Sequence, residues 1–521
     1  MLLRAAACAC LLLFAQSPAI AAASESPDAL IQNVQKLIQE RDFEKAHAEL
    51  TRGLKQFPND GNLFGLMGVV EADLGHYEPA EANFKKAIAA IPRFGAAYLN
   101  LGRLYLENVA KDPVAEKKAL DTYEKLLRFQ PDNPEALYQS AFLWLRQGSF
   151  ETSLAQLAKL PAAEQEYPQA LAVRCAALGA TGKHVEAAAA ADRLLANPQT
   201  TEADVFMAAP YLEQHGAADL AEKLLRAQAE QRQGSYESFY ALGLFYKRQK
   251  KLELARAALE RSAQYRPNDV PVLLDLARVA YEQKDGKGAF GYLAHARDLQ
   301  PQNASIHYFW AMVCVEEKLV EEAIKALKRA VELDPDNPYY NFATGSVAVQ
   351  RIDASESLPY FQKYRQLKPK DPRGMLALGA AYVESFQIEK GKPELMAAAK
   401  YPETAAGAHY YLARVANKDG DFQGALKELE ASLQANPNAA EVYGELGSTY
   451  IKLRDYPQAE KALNKALELQ PDSYTANLNL TILYQRTKDP RAKEQAERFQ
   501  QIKEKWDKSR MEMLRTVQVV P

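Results

Sequence analysis

The sequence predicts an all-α solenoid made of stacked pairs of antiparallel helices. Three observations carry that expectation. Prolines recur at a fixed interval, the residues between them have helical periodicity, and small residues return at fixed places within each interval.

The prolines set the period. Pro58 and Pro92 are 34 apart in number, and Pro267, Pro301, Pro335 and Pro369 follow one another at the same 34. Pro437 lies 68 beyond Pro369, twice the interval, and Pro471 lies 34 beyond that. Most sit in similar text: FPND, RPND, QPQN, DPDN, KPKD, NPNA and QPDS. Such text stops one helix and turns the chain toward the next.

Between the prolines the apolar residues fall on helix faces. From Ser235 to Asn268, Phe239, Leu242, Gly243 and Tyr246 share one face of a first helix. Ala255, Leu259 and Ser262 share one face of a second, and the two join near Gln249 and Lys250. The pattern recurs as Tyr443, Leu446, Gly447, Tyr450, then Ala459, Leu463, Ala466. It recurs again as Phe64, Met67, Gly68, then Ala80, Phe84, Ala87. Two helices of this length do not bury their apolar faces alone, so neighbouring pairs must supply the cover. Gly or Ala at the eighth position and Ala at the twentieth let the paired helices approach closely.

This spacing resembles the tetratricopeptide repeat, a 34-residue helix–turn–helix. The resemblance runs from roughly 27 to 490 and yields about fourteen units, with the strongest register at 27–92 and 235–474. It implies a right-handed superhelical solenoid whose first helices line a concave groove. It also implies protein or peptide binding as the activity.

Several stretches depart from the pattern. Pro92 and Pro131 are 39 apart, so about five positions are inserted, near Glu107 to Pro113, lengthening an inter-helix turn. From Leu160 to Gly234 the consensus weakens, as for a kink or a seam between sub-arrays. Pro393 falls near the start of a second helix. Ala492, Ala496, Phe499, Ile502 and Trp506 make one more amphipathic helix, polar on its other side as a capping helix requires. Two fates are open to the tail from Lys508: fraying, or Thr516 to Val520 adding as a strand to a partner. The expected organisation is a signal peptide at 1–23, a first array at 24–160, degenerate units at 161–234, a second array at 235–490, and a cap with its tail at 491–521.

The segment 1–23 reads as a secretory signal. A short basic start ending at Arg4 leads into the apolar Ala5 to Phe14, then the small residues Ala21-Ala22-Ala23. The mature chain is expected to begin near Ser24 and to lie outside the cytoplasm, periplasmic or secreted. No later segment is apolar enough to span a bilayer. Cys8 and Cys10 leave with the signal. Cys175 and Cys314, separated by several repeats, are expected to remain free thiols. In a eukaryotic host Asn303-Ala304-Ser305 would be a glycosylation site at an inter-repeat turn.

Sites for chemistry are absent from the sequence. A net charge of −3 with no basic run argues against nucleic acid as a partner. None of the 7 histidines forms HExxH or a pair with metal spacing, so no metal is expected. Neither a nucleophile elbow, nor a phosphate loop, nor a dinucleotide fingerprint occurs, so neither catalysis nor a cofactor is expected. Runs such as Glu316-Glu317 and Lys247 to Lys251 read as solvated faces, and Trp144 and Trp310 as core. The Lys and Asn set with which chaperone adaptors of this family clamp a C-terminal carboxylate is missing; Asn100 and Asn479 stand alone.

The resemblance places the second, fifth, ninth and twelfth positions of first helices toward the groove. The fifth gives Tyr240, Leu274, Tyr308, Phe342, Leu376 and Tyr410, and the ninth includes Arg278, Met312 and Arg414. Tyr240, Arg278, Tyr308, Met312, Phe342, Tyr410 and Arg414 are therefore the candidate binding residues for an extended, partly apolar segment carrying an acidic group. Alternatively the rings pack against the next helix and close the groove on themselves. The functional expectation is a non-catalytic scaffold or adaptor in the cell envelope or extracellular space. Its alternative is an assembly subunit of a polysaccharide-export or outer-membrane machinery whose catalytic partner is another chain, and a spacer without a ligand is a third reading.

Overall fold

The computed structural model describes residues 26–231, 234–349 and 354–516, with side chains in the last helix as far as Lys505. The expected signal peptide, the Trp506 side chain and the residues after Thr516 lie outside the described residues. Among the described residues there are 28 α-helices and no strand, the count that fourteen two-helix units require. They belong to two compact units, one up to Phe245 and the other from Tyr246.

Local chemistry sets where most of the first helices begin. Two residues after most of the inter-pair prolines stands Asp, Asn or Ser, and its side chain caps the next helix; Phe94 and Ala439, two after Pro92 and Pro437, supply no such cap. Asp60 accepts from the backbone N–H groups of Asn62 at 2.8 Å and Leu63 at 3.1 Å. Asn133 accepts from Ala136 at 3.0 Å and Asp269 from Val272 at 3.1 Å. Each satisfies a donor that the helix itself leaves unpaired.

Among the described residues, the turn inside most pairs carries a second, independent period. One residue there is left-handed: Gly148, Gly182, Gly216, Lys250, Lys284 and Lys318, then Phe386, Gly420, Arg454 and Lys488. Successive members stand one proline interval apart, or two between Lys318 and Phe386, so the register runs unbroken through 161–234. What is irregular in that stretch and just ahead of it is helix length. Phe150–Leu157 stops after 8 residues, and Ala218–Arg226 runs on into a π turn at Ala227–Gln231. Arg41 and Gly75 keep the same spacing ahead of the insertion. The insertion itself is the long turn between Gly95–Glu107 and Ala115–Leu127.

Packing within a pair follows one rule. The eighth-position glycine is covered by the large side chain at the twenty-fourth. A Cβ on Gly68 would stand 2.6 Å from the Phe84 ring, on Gly345 2.7 Å from Phe361, and on Gly379 2.8 Å from Leu395. Gly102 meets Tyr123 in the same way, five positions late, so the insertion is absorbed in the turn and not in the packing. Phe84 and Tyr123 lie fully buried in one cluster with Leu101, Tyr105 and Leu143. Pro393 is inside its helix, Ile388–Ala398, and not near the start. There Gly391 lies against the carbonyl of Gly379, 2.8 Å from where its own Cβ would be, so both faces of this crossing are bare backbone. Ala492–Thr516 packs on Tyr474–Thr487 as the second helix of the last pair.

Candidate partner-binding face

First helices of successive pairs lie side by side in each unit: Pro168–Ala180 packs on Glu202–Gln214 in the first, and Pro372–Glu384 on Pro402–Asp419 in the second. The candidate residues are spread along such helices. Tyr240 belongs to the first unit, and its ring stacks on Tyr236 with centroids 5.7 Å apart. The other six belong to the second.

In the second unit the candidates divide by environment. Arg278 is exposed and makes no ion pair among the described residues; its guanidinium lies over the Phe309 ring at 5.9 Å. Met312 is half-buried. Tyr308 packs against Tyr340 of the next pair at 5.0 Å, and burial raises its hydroxyl pKa. Phe342 turns to the second helix of its own pair, 5.8 Å from Phe361 and 4.8 Å from Tyr364. Burial pushes the Tyr410 hydroxyl up to about 12. Arg414 is paired with Glu384 and lies over Tyr410 and Tyr411 at 5.8 and 5.4 Å.

Three of the rings therefore have structural roles in packing. The least committed groups are Arg278 and Met312. Tyr339, 62% exposed, is a large apolar neighbour on the same set of helices. It occupies the second position of its helix, which the fifth- and ninth-position reading passes over. Asn417 occupies a twelfth position. Its amide donates to Glu445 and Thr449, both at 2.8 Å, while its buried Oδ1 has no partner among the described residues. Among the described residues no group of three or more His, Cys, Asp or Glu side chains is placed to hold a metal. None of the helices is long and apolar enough to cross a membrane, again among the described residues. Cys175 and Cys314 are free and buried, and burial pushes each thiol up to about 12.

Comparison with known families decides what these pairs are. Models of the tetratricopeptide repeat match residues 236–269, 280–343, 315–372 and 416–478. The chain is a tetratricopeptide-repeat protein. A 66-residue stretch is 36% identical to the protein SGT1 homolog of Oryza sativa subsp. japonica, covering 13% of this chain and 18% of that one. This chain thus spans less than a fifth of that relative's length. Among solved structures, the APC/C hetero-tetramer Cut9-Hcn1 is 13% identical over 88% of this chain and 97% of that one, with a TM-score of 0.33. Naa15/Naa10 bound to HypK-THB is 14% identical over 88% and 96%, with a TM-score of 0.32. YrrB, described as a TPR protein with an unusual peptide-binding site, is 19% identical over 42% and 95%, with a TM-score of 0.27.

Proposed function

We propose that this tetratricopeptide-repeat protein is a non-catalytic binding scaffold that takes an extended partner segment on the first helices of its second unit. One observation carries the reading. Three successive first helices of that unit carry in turn Arg278, exposed without a carboxylate among the described residues, the half-buried Met312, and the exposed Tyr339. Arg and Tyr are residue types in which binding energy concentrates, and Met adapts to variable surfaces. An acidic group on the partner would meet Arg278, and its apolar side chains would meet Met312 and the outer faces of Tyr308 and Tyr339.

The scaffold works outside the cytoplasm in this proposal, on the strength of the basic, apolar, small-residue order of residues 1–23. The test uses protein from its native host. N-terminal sequencing should begin near Ser24, and an intact Met1 on cytosolic protein ends the export reading. Affinity capture with the mature chain should recover a partner that Arg278→Ala/Met312→Ala/Tyr339→Ala loses. Recovery of the same partner by that variant removes the first-helix face from consideration.

A further inference from the structure

The second helix of the fourth pair stops early. Phe150–Leu157 is 8 residues long, whereas the second helices His184–Ala196 and Leu252–Tyr265 run to 13 and 14. The chain crosses the vacated space through Pro161 and a short 3-10 turn at Glu164–Glu166. Between Phe150–Leu157 and the following Pro168–Ala180 this leaves a cleft of about 490 Å³, within the range of small-ligand sites. Leu154, Ala155 and Leu178 form its apolar wall, and Arg174 and Lys183 bring two cations to it.

Arg174 is the unusual member. It is half-buried, and it stands at the seventh position of its helix, where other pairs carry Leu242 or Leu276. Its Nη2 donates to Gln165 Oε1 at 2.9 Å. Gln165 spends its own NH2 on the carbonyls of Leu160 at 2.7 Å and Ala158 at 3.4 Å, which fixes the oxygen toward Arg174. A neutral amide thus holds the guanidinium in place, and the rest of its five N–H donors have no partner among the described residues. Arg103, Arg256, Arg365 and Arg414, similarly withdrawn from solvent, each have a carboxylate: Glu135, Asp285, Glu394 and Glu384. Burial works against the charge of Arg174 with no carboxylate to offset it. At the rim Lys183 is matched by Glu151 at 2.9 Å, which leaves one positive charge uncompensated in the cleft.

We propose that this cleft binds a carboxylate carried on a short aliphatic stem, with Arg174 taking the carboxylate through paired N–H bonds and Leu154, Ala155 and Leu178 taking the stem. A monoanion balances the single free charge, which a phosphate dianion would overshoot. Arg presents the planar fork that a carboxylate fits in bidentate fashion. Two sources share this chemistry, a free aliphatic acid and a peptide C-terminus ending in an aliphatic residue. The site lies in the first unit and does not rest on the first-helix face proposed above.

Calorimetric titration of the mature full-length chain tests it, with octanoate, with an acetylated tripeptide ending in leucine, and with the amide of that tripeptide. At least one of the two acids is expected to bind at a single saturable site, and which one binds names the source. The amide should bind at least about tenfold more weakly than the peptide acid if that is the ligand. Arg174→Gln should weaken binding at least about tenfold with helical content unchanged, and Arg174→Lys should recover part of the loss. Glu151→Gln should tighten binding by removing the nearby carboxylate. Arg278→Ala should leave it unchanged, so that failure here and failure of the first-helix face are distinguishable. If Arg174→Gln does not fold, Leu154→Trp serves in its place, filling the cleft from the helix surface and abolishing binding. Binding by neither acid overturns the proposal, as does a folded Arg174→Gln or Leu154→Trp protein that binds like the parent.

Discussion

Gly447 lies directly beneath Leu463, so that a Cβ at 447 would stand 2.5 Å from the leucine's Cγ and Cδ2. No rotamer change of a fully buried leucine yields that space without displacing its neighbours, since Leu463 has no exposed surface. Gly447→Leu should therefore destabilise the protein by about 1–3 kcal/mol or more. Gly447→Ala/Leu463→Val, with the covering side chain shortened, should be less destabilised than the two single changes added together. Urea midpoints of the full chain measure this, and simple additivity would show that the two residues do not share the space.

The two mature cysteines should be invisible to reagents until the protein unfolds. Cys175 and Cys314 are buried, and each thiol is pushed up to about 12 by burial, with Glu322 adding to the effect at Cys314. The reactive thiolate is therefore scarce at pH 8 in the folded state. Titration with a thiol reagent should find no fast-reacting group in the native chain and two in the unfolded, non-reduced chain. Four groups after unfolding would mean that Cys8 and Cys10, and with them the leader, are still attached.

Stability should fall on the alkaline side. A thiol whose folded pKa is raised holds its proton more tightly in the folded state. Its contribution is complete below the unfolded value of about 8.5 and is lost as pH rises toward about 12. Tyr410 and Tyr138, also raised to about 12 by burial, join the loss above the unfolded tyrosine value of about 10. The urea midpoint should hold steady from pH 7 to about 8.5 and then decline. Cys175→Ala/Cys314→Ala should delay the onset of the decline to about pH 10, where the tyrosines take over.

Phe342 and Arg278 should behave differently under the same truncation. Phe342→Ala removes a ring packed on Phe361 and Tyr364 and should cost about 2–4 kcal/mol, somewhat under the full range because the ring is half-buried. Arg278→Ala removes an exposed side chain without an ion pair among the described residues and should change stability by less than about 0.5 kcal/mol. Thermal melts distinguish the two. A capture assay based on Phe342→Ala alone would confuse lost binding with lost packing.

The period, the helix count and the close approach at Gly68, Gly345 and Gly447 were legible because each is a steric demand met within a single repeat of sequence. The direction of Phe342 was not, because periodicity gives a face of one helix and not the Phe361 and Tyr364 rings opposite it. Continuity through 161–234 escaped the consensus positions, yet it was written in Gly148, Gly182 and Gly216, whose spacing reflects a left-handed backbone and not a packing face. Arg174 left one signal, a charge at the seventh position where large apolar residues recur. Its meaning depends on the early end of Phe150–Leu157, which is a matter of helix length that no spacing rule records.

Because the glycine and its covering side chain belong to the same pair, the fit between them is inherited as one block. A gene duplication or loss that breaks the chain at an inter-pair proline carries both halves of the fit together. An array assembled in this way can change its number of blocks over evolutionary time without searching again for complementary shapes inside them. Selection is then left to work on the seams between blocks, and the shortened helix beside Arg174 lies at one of them.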